Sequence, residues 1–163
     1  MKRVFVFPGQ GSQAPGMGRE LAEAFAPARR LFAEVDEALS QHLSRLMFEG
    51  PESELTLTEN AQPALLAASL AVVRVLEAEA GFDIGRQVLY VAGHSMGEYS
   101  ALAAARALRV ADAARLVKRR GLAMQKAVPA GEGAMAALLG LEIEAAGEVA
   151  ANAAESEVCA VAN

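Results

Sequence analysis

Two kinds of apolar patterning alternate along the chain. Val4–Phe7 and Val88–Ala92 are short continuous apolar runs, each stopped by glycine, at Pro8-Gly9 and at Gly93. Runs of that length between turn signals predict strands, and Val4–Phe7, apolar on both faces, is expected to be central in a parallel sheet. The segments between follow a helical period instead. From Glu20 to about Ser40, Leu21, Phe25, Leu31, Phe32, Val35 and Leu39 share one side and charges the other, with Pro27 expected to break the helix in two. A second short helix ends at Gly50-Pro51, and Glu52 to Thr58 reads as a polar connection. Gln62-Pro63 is expected to open the next helix, with proline near its first turn. Ala64 to Leu76 is apolar nearly all round, which predicts a central, buried helix. Gly81 to Gln87 reads as the loop back to the second strand, so two parallel strands joined through helices make a right-handed crossover the simplest topology. Tyr99 to Leu108 and Val110 to Ala127 read as further helices.

Pro129-Ala130-Gly131-Glu132-Gly133 breaks the composition and marks a boundary between residues 1–128 and 129–163. Beyond it, Ala134 to Leu139 reads as a strand, Ile143 to Ala154 as a helix and Val158 to Ala162 as a strand. That is the opening β-α-β of a small separate unit. The fold class is α/β.

Composition narrows the function. At 53% hydrophobic residues the 163-residue chain can bury a sizeable core. Its net charge of −5 supplies no phosphate-neutralising surface, so a nucleic-acid partner is not expected. The apolar stretch from Ala64 to Val73 is too short for a membrane span, which needs about 20 residues, and no signal peptide is expected. A single cysteine, Cys159, fits a reducing, cytoplasmic compartment; its apolar neighbourhood predicts a buried filler. No metal-ligand cluster stands out.

The chemistry concentrates at Gly93-His94-Ser95-Met96-Gly97-Glu98-Tyr99, between the second strand and a helix. Glycines two residues either side of a serine, at a strand-to-helix turn, are what a nucleophile elbow requires. The serine is held in a strained conformation, and the chain crosses itself closely where Gly93 and Gly97 offer no side chain to collide. The Ser95 hydroxyl then projects above the sheet, and the N–H of Met96 lies at a helix N-terminus, suited to an anion. At the first strand's carboxyl end, Gly9-Gln10-Gly11 can be a ligand loop or simple punctuation; it lacks the lysine and the spacing of a phosphate loop. In the helix from Val110 to Ala127, Ala113, Val117, Arg120 and Met124 share a face, with Leu116 beside it, while Lys118 and Arg119 are free to meet water. Arg120 thus interrupts an apolar stripe, and must either snorkel outward, pair internally or await an anion. His42 reads as a solvated surface residue.

Phe7-Pro8-Gly9-Gln10-Gly11-Ser12-Gln13, Gln62-Pro63-Ala64-Leu65 and Gly93 through Leu102, continued by Arg115 to Gly121, Met124-Gln125, Val128-Pro129 and Gly133 to Ala136, together resemble the malonyl-CoA:acyl carrier protein transacylases. The likeness covers the whole chain but about half the family's length. It implies an α/β-hydrolase-like parallel sheet with helices on both faces, followed by the start of a small ferredoxin-like α+β subdomain. It further implies that Ser95 takes the malonyl group as an ester, that the N–H groups of Gln10 and Met96 form the oxyanion hole, and that Arg120 holds the malonyl carboxylate. Gly9, Gly11, Gly93, His94 and Gly97 would support the elbow and its facing loop.

The family's general base is a histidine in its second half, outside these residues. His94 matches the motif without being that base, so the chain in isolation is expected to lack turnover. The implied reaction moves malonyl from coenzyme A to the phosphopantetheine thiol of acyl carrier protein, with malonyl-CoA as substrate and no permanent cofactor. A serine esterase or thioesterase shares the elbow but needs neither Arg120 nor the Gln10 loop. An acyltransferase domain of a polyketide synthase shares nearly all the motifs.

Overall fold

The computed structural model describes residues 3–129, 131–136 and 138–162, which form two compact units, Met1–Pro129 and Ala130–Asn163. In the first, strand β1 (Val4–Phe7) pairs in parallel with β2 (Tyr90–Gly93), setting Val4 against Tyr90 and Phe7 against Gly93. β2 begins later than the apolar run does because the Val88 N–H is held by Ile84 O, at the end of a short helix. The sheet does not have the expected burial on both faces. Phe5 and Phe7 turn into the core, but Val6 is 72% exposed and Tyr90 71% exposed on the other side. Two strands are narrow, and among the described residues of this unit no helix covers that face.

Between the strands the chain winds through six helices. α1 (Arg19–Ala24) and α2 (Ala26–Leu39) replace the single period from Glu20 to Ser40; they part at Phe25 (φ −126°, ψ 120°), with Pro27 in the first turn of α2. Proline lacks the N–H that a continuous helix would need there. α3 (Leu43–Glu49) ends at Gly50 as expected. The segment read as a polar connection contains α4 (Glu52–Leu55), because Leu55 is drawn into the core. The stretch read as a loop before β2 contains α6 (Ile84–Gln87), started by Asp83, whose side chain accepts from Gly85 N, and anchored by buried Ile84.

The core is built on α5 (Thr58–Glu79), which packs against α2, on α7 (Gly97–Ala104) and on α8 (Val110–Ala127). α5 starts four residues before Gln62, so Pro63 lies inside it rather than at its opening. Tertiary bonds stabilise the added turn. Asn60 donates to Glu54 O and accepts at Oδ1 from Gln41 and Lys118. At 22 residues α5 is longer than its apolar segment suggested and is long and apolar enough to cross a membrane, yet it is the core helix of this unit, with Ala64, Leu66, Ala67 and Ala71 fully buried. Lys118, expected to be free in water, instead pairs with Glu59 at 3.2 Å, and Leu116, beside the apolar face, is exposed. At the start of α8 the Asp112 carboxyl is held below the ordinary carboxylate range by hydrogen bonding to Arg109.

α8 lies close against the start of α5 at Gly121, where a Cβ would lie 2.7 Å from both Glu59 Cα and Thr58 O. Alanine there would gain about 1 kcal/mol of helix propensity. Overpacking against backbone costs about 1–3 kcal/mol or more, so the clash wins. Gly121→Ala is expected to lower the melting temperature measured by circular dichroism, and a rise would show that the two helices can separate freely.

In the second unit only the helix forms, as α9 (Ile143–Ala154). The strands expected at Ala134 to Leu139 and Val158 to Ala162 are absent among the described residues, save an isolated bridge at Gly133; Ala137 lies outside them. Leu139 and Val158 are 91% and 98% exposed. A strand needs a paired neighbour and a covered face, and the described residues of these segments have neither. Cys159 is likewise exposed, not buried.

Candidate active site

Ser95 sits at φ +54°, in the left-handed region, between β2 and α7. Such a backbone costs a non-glycine residue about 1–2 kcal/mol and persists only where the surroundings impose it. Four hydrogen bonds do so here: His94 N to Phe7 O (3.1 Å), Gly97 N to His94 O (2.8 Å), Glu98 N to Ser95 O (3.2 Å) and Tyr99 N to Met96 O (3.1 Å). None of these four uses the N–H of Met96. The turn also closes on itself. A Cβ on Gly93 would collide with Gly97 and Glu98 backbone, and one on Gly97 with the carbonyls of Phe7 and Pro8. The end of β1 therefore passes directly beneath the elbow.

That crossing brings the Gly9 to Gly11 loop to the site. A Cβ on Gly9 would lie 2.5 Å from His94 Nδ1, so the His94 imidazole packs against this loop. The Gln10 side chain turns to the start of α5 and donates to Thr58 Oγ1 at 3.3 Å; the Gly11 N–H is taken by Gln13 Oε1 at 2.9 Å. Met96 is fully buried and anchors α7. His42 is exposed ahead of α3, as its sequence context suggested.

Arg120 converges on the serine from α8. Its Nη2 donates to Ser95 Oγ at 2.9 Å, and Nη1 donates to Gln62 Oε1 at 2.9 Å and to Met124 Sδ at 3.2 Å. Gln62 Nε2 also donates to Met124 Sδ, at 3.3 Å. Every acceptor given to this guanidinium among the described residues is neutral. Arg120 is half-buried, which lowers the dielectric around its charge. A strained serine, an N–H at a helix start and a cation with only neutral partners suit acyl transfer from a substrate that carries its own negative charge. Among the described residues no group of three or more His, Cys, Asp or Glu is placed to hold a metal ion.

Gln62 and Thr58 escape the sequence reading of the site. The available signal was Gln62 itself, one amide inside a helix otherwise apolar nearly all round.

Residues 4–163 match the family model described as acyl transferase domain. The chain belongs to the acyl transferase domain family. The malonyl CoA-acyl carrier protein transacylase of Bacillus subtilis (strain 168) is 55% identical over 91% of this chain and 45% of its own length; that of Escherichia coli (strain K12) is 45% identical over 98% and 50%. Among solved structures, the acyl-carrier-protein S-malonyltransferase of Bartonella henselae is 54% identical and superposes with a TM-score of 0.92 over 100% of this chain and 52% of its own. A malonyl-transacylase in complex with its type II polyketide synthase acyl carrier protein gives a TM-score of 0.86 at 43% identity, over 97% of this chain and 50% of its own. This acyl transferase chain thus spans about half the length of the relatives it matches.

Proposed function

We propose that these residues form the nucleophile-bearing part of a malonyl-CoA:acyl carrier protein transacylase, with Ser95 as nucleophile and Arg120 as the carboxylate holder. One observation carries the reading: the guanidinium that reaches Ser95 Oγ at 2.9 Å has only neutral hydrogen-bond partners among the described residues, so a carboxylate delivered to the serine would meet a cation with no anion beside it there. A plain esterase has no use for a cation at that point. Family membership and the names of the relatives support the same assignment.

In the proposed reaction Ser95 Oγ attacks the malonyl thioester carbon, and the developing oxyanion takes hydrogen bonds from the N–H groups of Met96 and Gln10. The C–S bond breaks, coenzyme A leaves as its thiol, and malonyl remains as a serine ester. The phosphopantetheine thiol of acyl carrier protein then attacks that ester by the reverse path. Coenzyme A thioester is a substrate here, and no permanent cofactor is assigned. The base is assigned, by family resemblance, to a histidine outside these residues; the imidazole of His94 is occupied in shaping the Gly9 loop. The finer architecture is read as α/β-hydrolase-like, which the parallel β1–β2 pair and the strained elbow support, with residues 129–163 beginning a ferredoxin-like subdomain around α9. A cytoplasmic setting follows from the same reading.

The test uses the polypeptide at the length at which its source cell makes it. Incubation with malonyl-CoA should add one malonyl group, mapped to Ser95 by peptide mass spectrometry and discharged by holo acyl carrier protein. Modification elsewhere, or water as the sole acceptor, would overturn the proposal.

A further inference from the structure

We propose that Gln62 is a positioning residue, which fixes the Arg120 guanidinium beside Ser95 without neutralising it and so sets the preference for a carboxylated acyl group. The inference rests on the functional reading above and deepens it. Gln62 is 0% exposed on α5, a helix whose neighbouring core positions are alanine, leucine and proline. An apolar side chain would fill that place at no desolvation cost, so the amide needs a reason. Its hydrogen bonds supply one. Oε1 accepts from Arg120 Nη1 at 2.9 Å, while Nε2 donates to Met124 Sδ, the sulfur that also accepts from Arg120 Nη1. Gln62, Met124 and Arg120 therefore close a triangle in which one end of the guanidinium is held by an amide oxygen and a thioether. The other end, Nη2, is left on Ser95.

The neutrality of that grip is the functional point. A glutamate at position 62 could orient the arginine as well, but its charge would satisfy the cation internally and leave little attraction for a substrate carboxylate. A planar fork fixed in advance also loses less freedom when it takes a carboxylate bidentately. Gln62 orients and Arg120 attracts; selectivity needs both.

The experiment compares Gln62→Glu, which keeps the acceptor but quenches the charge, with Gln62→Met, which keeps the shape but removes the acceptor, in the polypeptide at its natural length. KM and kcat are measured for Ser95 acylation by malonyl-CoA and by acetyl-CoA. Both variants should lower the malonyl-over-acetyl ratio of kcat/KM by about tenfold or more, the scale of one lost hydrogen bond to a charged group. In an Arg120→Ala background the same substitutions should leave the ratio unchanged. A folded Gln62→Glu that keeps the full preference, or an equal effect without Arg120, overturns the inference while leaving the functional reading intact. A wild-type protein with no preference for malonyl overturns both. Wild-type protein with nitrogen-labelled arginine gives a readout independent of any variant: Arg120 should show resolved, slowly rotating Nη groups, and a freely rotating guanidinium would refute the proposal.

Discussion

Ser95→Ala is expected to take up no malonyl group from malonyl-CoA, a loss on the order of a millionfold when a nucleophile is removed from a cooperating catalytic unit. The fold should survive it. Ser95 Oγ is bonded to a half-buried guanidinium that water can reach in its place. A companion variant separates catalysis from backbone strain. Alanine keeps the cost of φ +54°, whereas glycine adopts that angle freely. Ser95→Gly should therefore be just as inactive, yet more stable than Ser95→Ala by about 1 kcal/mol. Chemical denaturation of both measures the difference. Equal stabilities would mean that the elbow relaxes once the hydroxyl is gone, and any residual serine-dependent acylation in either variant would end the assignment.

Arg120→Ala should reduce malonyl transfer far more than acetyl transfer. Breaking one side of a desolvated charge pair costs about 2–5 kcal/mol, roughly thirty- to several-thousand-fold in kcat/KM for malonyl-CoA. An acetyl group has no carboxylate to lose, so its rate should change mainly through the missing bond to Ser95 Oγ. Arg120→Lys should recover only part of the loss, since an ammonium keeps the charge but cannot form the planar fork held by Gln62 and Met124. Steady-state kinetics with both thioesters decide the matter. Equal losses for the two acyl groups would exclude carboxylate recognition by this residue.

Much of this was legible along the chain. Val4–Phe7 was bounded correctly because a four-residue apolar run between charge and Pro-Gly has few other uses. Val110–Ala127 was bounded correctly because its amphipathic period is long and Val128-Pro129 follows it. Ser95 at its strand-to-helix turn and Arg120 on an apolar stripe both announced themselves as misfits: a strained turn and a charge where neighbours are apolar. The misses share a cause. The burial of Leu55 in α4 and of Ile84 in α6, the early start of α5 and the pairing of Lys118 all depend on partners distant in sequence, such as Gln41 with Asn60 or Thr58 with Gly121. Local propensity carries no record of those contacts. The strands expected at Ala134 to Leu139 and Val158 to Ala162 fail for the complementary reason, since apolar alternation makes a strand only when a neighbour takes up its backbone groups.

The sequence by itself determined β1, the division of α1 from α2, the extent of α8 and the glycine-flanked serine turn, because each rests on spacing within one segment. Only the tertiary structure decided that the guanidinium of Arg120 meets Ser95 and that Gln62 orients it, because three segments, beginning at α5, β2 and α8, must first pack before those atoms share a place.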